Sequence, residues 1–264
     1  MAAAAKSADV RFDEKTAQQM SMIYQTDDIK EAQRQYRVWF DPRPEEVLLD
    51  VGCGTGVNTY ALSKLVGPAG KIIGIDPSPA MLKIAREKAA ASNIEYQQTT
   101  VEDFKAAENT FDGIVCTQVF NYVANPAAVL KSLLRMVKPT GRIFLSETDW
   151  DTLAYNIPDK ALQRRVVADF SDHHGDGWMG RRLASICGEA NARDVTLHPY
   201  VINNSEYSVR KYGGPMSYVI RDYLLRAKGW SEADVANWTK QLSDAYDNKN
   251  YFFSVTRMVA IVRK

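Results

Sequence analysis

The chain has 264 residues, 45% hydrophobic and 25% charged, a balance that fits a folded globular protein and excludes a disordered or fibrous one. Lys and Arg number 33 against 32 Asp and Glu, so the net charge of +1 supplies no field to gather phosphates or anionic lipid, and neither nucleic acid nor membrane is an expected partner. No apolar run reaches the roughly 20 residues that span a bilayer, Met1 to Asp9 lacks the apolar core of a secretory signal, and the expected location is the cytoplasm.

Ser7 to about Phe40 reads as helical, with apolar and aromatic residues at Met20, Ile23, Tyr24, Tyr36, Trp39 and Phe40 and a break near Gln25 to Asp28. Asp41-Pro42-Arg43-Pro44 ends it, because prolines at alternate positions disfavour helix. Short apolar strands then alternate with amphipathic helices. Strands are expected at Val47 to Val51, Lys71 to Ile75, Ile94 to Gln98, Phe111 to Thr117 and Arg142 to Ser146. Helices are expected at Asn58 to Val66, Pro79 to Ala91 and Ala127 to Val137, a rhythm that implies a mainly parallel sheet covered on both faces. Further on, Ala161 to Phe170, Arg181 to Ala190, Ser217 to Lys228 and Glu232 to Tyr246 read as helices. Asp194 to Ile202 and Phe252 to Val262 read as strands, and Lys211 to Pro215 as a hinge or turn. The three scattered cysteines, Cys53, Cys116 and Cys187, fit buried free thiols and neither a disulfide framework nor a paired zinc site.

The first strand runs directly into Asp50-Val51-Gly52-Cys53-Gly54-Thr55-Gly56, and glycines let a turn take positive φ and let a ligand approach the backbone. Asp76 ends the next strand, 20 positions after Gly56, where a carboxylate can accept both ribose hydroxyl protons. A dinucleotide site follows the same logic but prefers GxGxxG against a pyrophosphate. Here the pattern is GxGxG preceded by Asp50, an acid that repels a pyrophosphate and suits an ammonium.

These residues resemble the class I S-adenosylmethionine-dependent methyltransferases, in particular the small-molecule group that includes ubiquinone and menaquinone methyltransferases. The resemblance covers roughly Val47 to Ser146. It implies a Rossmann-like, seven-stranded, mainly parallel α/β sheet with its last strand antiparallel, and S-adenosyl-L-methionine as cofactor, with no metal. Residues 1–44 would form an N-terminal helical lid and 45–150 the cofactor-binding core. Residues 151–250 would be a substrate-cover insertion with part of the sheet, and 251–264 the final strand. The implied cofactor residues are Asp50, Gly52, Cys53, Gly54, Gly56, Asp76, Pro77 and Met81. Val101 and Glu102 would meet adenine, Thr117 and Gln118 the methionine end, and Tyr24 would close over from the lid. Tyr122 stands where relatives often carry His, so no base is carried over at that position. Thr140 likewise replaces a glycine in the turn before the fifth strand.

For the transfer itself, the protein has to align a nucleophile with the methyl and remove its proton where necessary. His173 and His174, in a glycine-broken loop, are the expected general base, against the plain reading of a loop. Asp149 and Trp150 follow the fifth strand, where Asp149 would orient the acceptor or accept its proton as a catalytic residue and Trp150 would wall the pocket. A capping acid and a core Trp are the alternatives. Arg181 would clamp a substrate carboxylate, against a surface charge pair, and Tyr122 joins Trp150 and Arg181 as a substrate contact. The expected reaction is methylation of a small molecule, with an aromatic or quinol-like hydroxyl favoured. An amine acceptor and a cofactor-binding protein acting through a partner remain as alternatives. The expected assembly is a monomer or homodimer, no heptad run forcing a partner.

Overall fold

The computed structural model describes residues 14–264, apart from the side chains of Lys15, Thr16, Asp172 and His174. The expected helix from Ser7 therefore lies in part outside the described residues. Within them, α1 (Glu14–Ile23) and α2 (Asp27–Phe40) are separated at the expected break.

The chain then alternates through β1 (Val47–Val51), α3 (Val57–Val66), β2 (Lys71–Asp76), α4 (Pro79–Lys88), β3 (Ile94–Gln98), β4 (Phe111–Thr117), α5 (Pro126–Met136) and β5 (Val137–Tyr155). Local chemistry starts these helices where they start. Ser78 caps α4 by accepting from the Met81 amide at 3.2 Å, and Asn125 caps α5 by accepting from the Ala128 amide at 3.0 Å, each followed by proline in the first turn. The remainder comprises α6 (Lys160–Phe170), α7 (Met179–Glu189), β6 (Asp194–Asn204), α8 (Gly213–Ala227), α9 (Glu232–Asp247) and β7 (Phe253–Arg263). Gly213-Gly214-Pro215, expected as a hinge or turn, instead opens α8, with proline in the first turn where its missing N–H has no intrahelical partner to lose.

Seven strands form one sheet in the order β3-β2-β1-β4-β5-β7-β6. The first five are parallel, and β7 runs antiparallel between β5 and β6. The strand order reverses between β1 and β4, the switch point beside which open α/β sheets bind ligands. Because strand side chains alternate, the sheet separates two cores. Leu49, Ile114, Ile143, Leu145 and Ala260 pack toward α5 and α7, while Leu48, Val115, Phe144, Val259 and Ile261 pack toward α2 and α3. A third cluster, with Trp230, Trp238, Phe170 and Phe253, joins α6, α8 and α9 to the far ends of β5 and β7.

The fifth strand extends beyond the expected Arg142 to Ser146. Its pairing with β7 continues from Arg142 opposite Arg263 to Tyr155 opposite Phe253, with one register shift between Asp149 and Ala154. All three cysteines are buried and free. Among the described residues, no helix is long and apolar enough to cross a membrane.

Candidate active site

β1 delivers the chain into a turn in which Gly52, Gly54 and Gly56 all take positive φ, at 65°, 53° and 76°. Gly56 is needed for space as well as conformation, since a Cβ there would meet the Tyr96 hydroxyl at 2.4 Å and the Ala89 Cβ at 2.9 Å. At Gly54 a Cβ would meet nothing within 4 Å, so the left-handed backbone alone selects glycine. The Gly54 amide donates to Asp76 Oδ2 at 2.9 Å, and the Ser78 amide donates to Asp76 Oδ1 at 2.8 Å. Asp76 is thereby fixed at the end of β2 beside the glycine turn, with an acceptor lone pair left on each oxygen. Burial raises its pKa, and the two amide donors oppose that rise.

Asp50, at the end of β1, is buried and accepts a hydrogen bond from Thr59 Oγ1 at 2.6 Å. Burial pushes its pKa up to about 7, against the opposing hydrogen bonds of Thr59 and Asn58. The Cys53 thiol is driven well above the ordinary range by burial, so it stays neutral.

Asp50, Gly52, Cys53, Gly54 and Asp76 open on a single cleft. Pro77 and Met81 extend its wall on one side, and Thr117, Gln118 and Tyr122 on the other. Met20 and Tyr24 border it from α1 and the residue that follows it, and Tyr36 from α2. Gln118 holds φ at 57° at the end of β4, anchored by its amide to the Ser146 carbonyl at 2.8 Å and by its side chain, which accepts from Thr148 Oγ1 at 2.6 Å. A left-handed non-glycine residue over-determined in this way, at a cleft, is the kind of local strain that functional sites store. Glu147, which sequence reasoning missed, fixes the next turn. Its Oε1 accepts from the Val119 and Phe120 amides, both at 2.8 Å.

The adenine candidates, the Val101 amide and the Glu102 side chain, follow β3 beside the residues that line the cleft. Val101 packs in the α5-side core and Glu102 is exposed. The expected catalytic set lies elsewhere. His173 stacks on Phe170 with ring centroids 3.9 Å apart, meets Trp150 edge-on at 4.7 Å, and hydrogen-bonds the Phe170 carbonyl at 2.8 Å through Nδ1. This aromatic cluster belongs to the α6/α8 side of the molecule and does not border the cleft. The His174 side chain lies outside the described residues. Trp150 is 5% exposed and packed in that third core.

Asp149 is buried, and both its oxygens accept from Arg181, from Nε at 2.5 Å and Nη2 at 2.7 Å. The reason is the alternation of β5: residues 143, 145 and 149 face α5 and α7, while the cleft is reached from the side of Phe144. Arg181, expected to clamp a substrate, thus spends its guanidinium on Asp149. Arg257 and Tyr36 both border the cleft; the sequence reading passed over Arg257 and took Tyr36 only as an aromatic of the N-terminal helix. A charge at an inward position of an otherwise apolar strand was the available signal for Arg257. No group of three or more His, Cys, Asp or Glu side chains is gathered as metal ligands would be, among the described residues.

Residues 42–190, more than half of the chain, match the methyltransferase domain family. The chain belongs to that family. Its cofactor is S-adenosyl-L-methionine, and the acid-and-glycine end of the cleft fits that cofactor's ribose, backbone-hugging shape and ammonium. The methyltransferase is 35% identical over 184 residues to the ubiquinone biosynthesis O-methyltransferase of Xanthomonas oryzae, covering 66% of this chain and 75% of that one. It is 38% identical over 109 residues to the demethylmenaquinone methyltransferase of Lactococcus lactis, covering 40% of this chain and 43% of that one. It therefore spans less than half the length of the Lactococcus protein. In fold it is similar to a SAM-dependent methyltransferase from Aquifex aeolicus, with a TM-score of 0.52 at 19% identity over 94% of this chain and 98% of the other.

Proposed function

We propose that this methyltransferase transfers the methyl of S-adenosyl-L-methionine to a small-molecule acceptor, with a hydroxyl of an aromatic or quinol-like compound as the nucleophile. The observation that carries the reading is the convergence of Asp76, Asp50 and the Gly52 to Thr55 part of the turn on the same cleft as Tyr24, Tyr36 and Tyr122. One end has the chemistry for ribose and ammonium, and the other is aromatic and roomy enough to be bordered by α1, α2 and β4 together. The bound cofactor supplies an already activated methyl on a sulfonium. The chain's own work is then alignment. Asp76 would accept the ribose hydroxyl protons, the glycine turn would admit close backbone approach, and Asp50 would face the ammonium. Tyr24 and Tyr122 wall the acceptor and exclude water. The relative named as a ubiquinone biosynthesis O-methyltransferase supports oxygen as the acceptor atom.

One observation favours nitrogen instead. Among the described residues no histidine borders the cleft, and a neutral amine attacks the methyl without a base.

Calorimetric titration with S-adenosylmethionine and S-adenosylhomocysteine tests the reading. Asp76→Ala is expected to weaken both by roughly 30-fold or more, the loss of two hydrogen bonds to a charged group. Labelled methyl transfer to paired phenols and anilines then decides between oxygen and nitrogen. Well-folded wild-type protein that binds neither cofactor form would overturn the proposal.

A further inference from the structure

The cleft continues past the cofactor groups to Arg257, in the middle of β7. In the strand order this residue is three strands from β1, about 14 Å across the sheet at ordinary strand spacing. It shares its face of the sheet with Val259, Ile261 and Phe144, the side packed against α2, and it is only 3% exposed.

Buried guanidinium groups stay charged and are normally paired, because an uncompensated charge out of water is costly. Among the described residues no ion pair joins Arg257 to a carboxylate. Its one hydrogen bond is long, from Nη2 to the Tyr212 hydroxyl at 3.5 Å, and its guanidinium lies 5.4 Å from the Tyr212 ring centroid. Arg257 Nε has no hydrogen-bond partner. The Tyr36 hydroxyl, on α2 and also bordering the cleft, has none either, although Tyr36 is 6% exposed. Glu147 feels the Arg257 charge but makes no ion pair with it, so among the described residues the cleft ends in a cation that no carboxylate contacts and a hydroxyl donor without a partner.

We propose that Arg257 and Tyr36 receive a carboxylate carried by the methyl acceptor. The inference rests on the reading of this cleft as a methyl-transfer site and adds the acceptor's chemical class, a small organic acid. A planar guanidinium matches a carboxylate with two parallel N–H donors, which fixes orientation as well as position. Phe40, Phe144 and Ile29 border the same cleft and supply apolar surface for the body of such a molecule. The cofactor carries a carboxylate too, but Arg257 stands on the far side of β4 and β5 from the glycine turn.

The test uses the protein saturated with S-adenosylhomocysteine and titrated with benzoate, with benzamide as a neutral compound of the same shape, and with inorganic phosphate. Benzoate is expected to bind, with benzamide and phosphate much weaker. Arg257→Met is expected to weaken benzoate by roughly 30-fold or more while S-adenosylhomocysteine affinity changes less than about 3-fold. Arg257→Lys, which keeps the charge and loses the fork, should fall between, and Tyr36→Phe should cost about 10-fold. Equal binding of benzoate and benzamide to the wild type, or preference for phosphate, would overturn the proposal without needing any variant to fold. Lost S-adenosylhomocysteine affinity in both arginine variants would assign the residue to the cofactor and overturn it equally. Wild-type protein that binds S-adenosylhomocysteine but discriminates no carboxylate refutes only this inference, whereas failure to bind S-adenosylhomocysteine refutes the methyltransferase site itself.

Discussion

Glu147 is a buried carboxylate without a lysine or arginine hydrogen-bonded to it, held instead by the amides of Val119 and Phe120. Burial raises its pKa to about 7 from an ordinary 4.5, with the two amides and the nearby Arg257 charge opposing. Between those values the folded chain keeps a proton that the unfolded chain has released, so stability falls as pH rises through that window and levels off above about pH 7. Glu147→Gln keeps the acceptor oxygen and cannot titrate. Urea unfolding at about pH 5 and about pH 8 should show the variant gaining on the wild type by on the order of 2 kcal/mol across the interval. An unchanged difference between the two proteins would mean that Glu147 is ionised throughout. Arg181 makes the opposite case, a charge whose partner is supplied. Arg181→Met leaves Asp149 buried and unpaired, and should cost about 2 kcal/mol in denaturant unfolding, the arginine being half-exposed. Affinities for S-adenosylhomocysteine and benzoate should stay unchanged, and a selective loss of benzoate binding would restore Arg181 as a substrate clamp. At this scale the sequence was legible where chemistry and chain position coincide. Asp50, Asp76 and the three glycines lie at strand ends within 30 positions, and local order alone brings them together. For Asp149, Trp150 and His173 the sequence left alternatives open, because their surroundings depend on which face of β5 is occupied and what α6 and α7 bring against it, neither of which one sequence reveals.

Asp28 is a main anchor of the two N-terminal helices. Asp28, in the first turn of α2, accepts from the Tyr212 amide at 2.7 Å and from Asn204 Nδ2 at 3.0 Å, with Lys211 Nζ 3.7 Å away, and the neighbouring Asp27 amide donates to the Arg210 carbonyl at 2.9 Å. These contacts tie α2 to the end of β6 and the start of α8, and so hold Tyr24 and Tyr36 at the cleft. Asp28→Ala removes three partners at once. It should weaken S-adenosylhomocysteine binding by roughly 10-fold, corresponding to about 1.4 kcal/mol, and expose α1 and α2 to limited proteolysis before the sheet unfolds. Cleavage that remains uniform along the chain would show that the N-terminal helices have no separate stability. The amphipathic pattern predicted both N-terminal helices, but not this anchor, because Asp28 and Tyr212 are 184 positions apart. The overlong β5 was hidden for a related reason. Its second half is polar in sequence, with Glu147, Thr148, Asp149 and Asp151, and becomes strand only because β7 supplies a partner.

For the molecule as a whole, the alternation of apolar strands and helices from Glu46 to Ser146 was enough to read a parallel sheet, since each segment there packs on its neighbours in order. The order β5-β7-β6 was beyond reach, because it depends on a strand entering between two that precede it in the chain. That insertion has a consequence for how the protein is made. A ribosome releases β5 and β6 before β7, and neither can satisfy its open edge until residues 253–263 emerge, so the nascent chain carries two unpaired edges that invite association with other chains. The same late strand brings Arg257, so the glycine turn and Asp76 can be assembled while the far end of the cleft is still missing. Synthesis itself thus orders the two halves of the site, the nucleotide end first and the acid-reading end last.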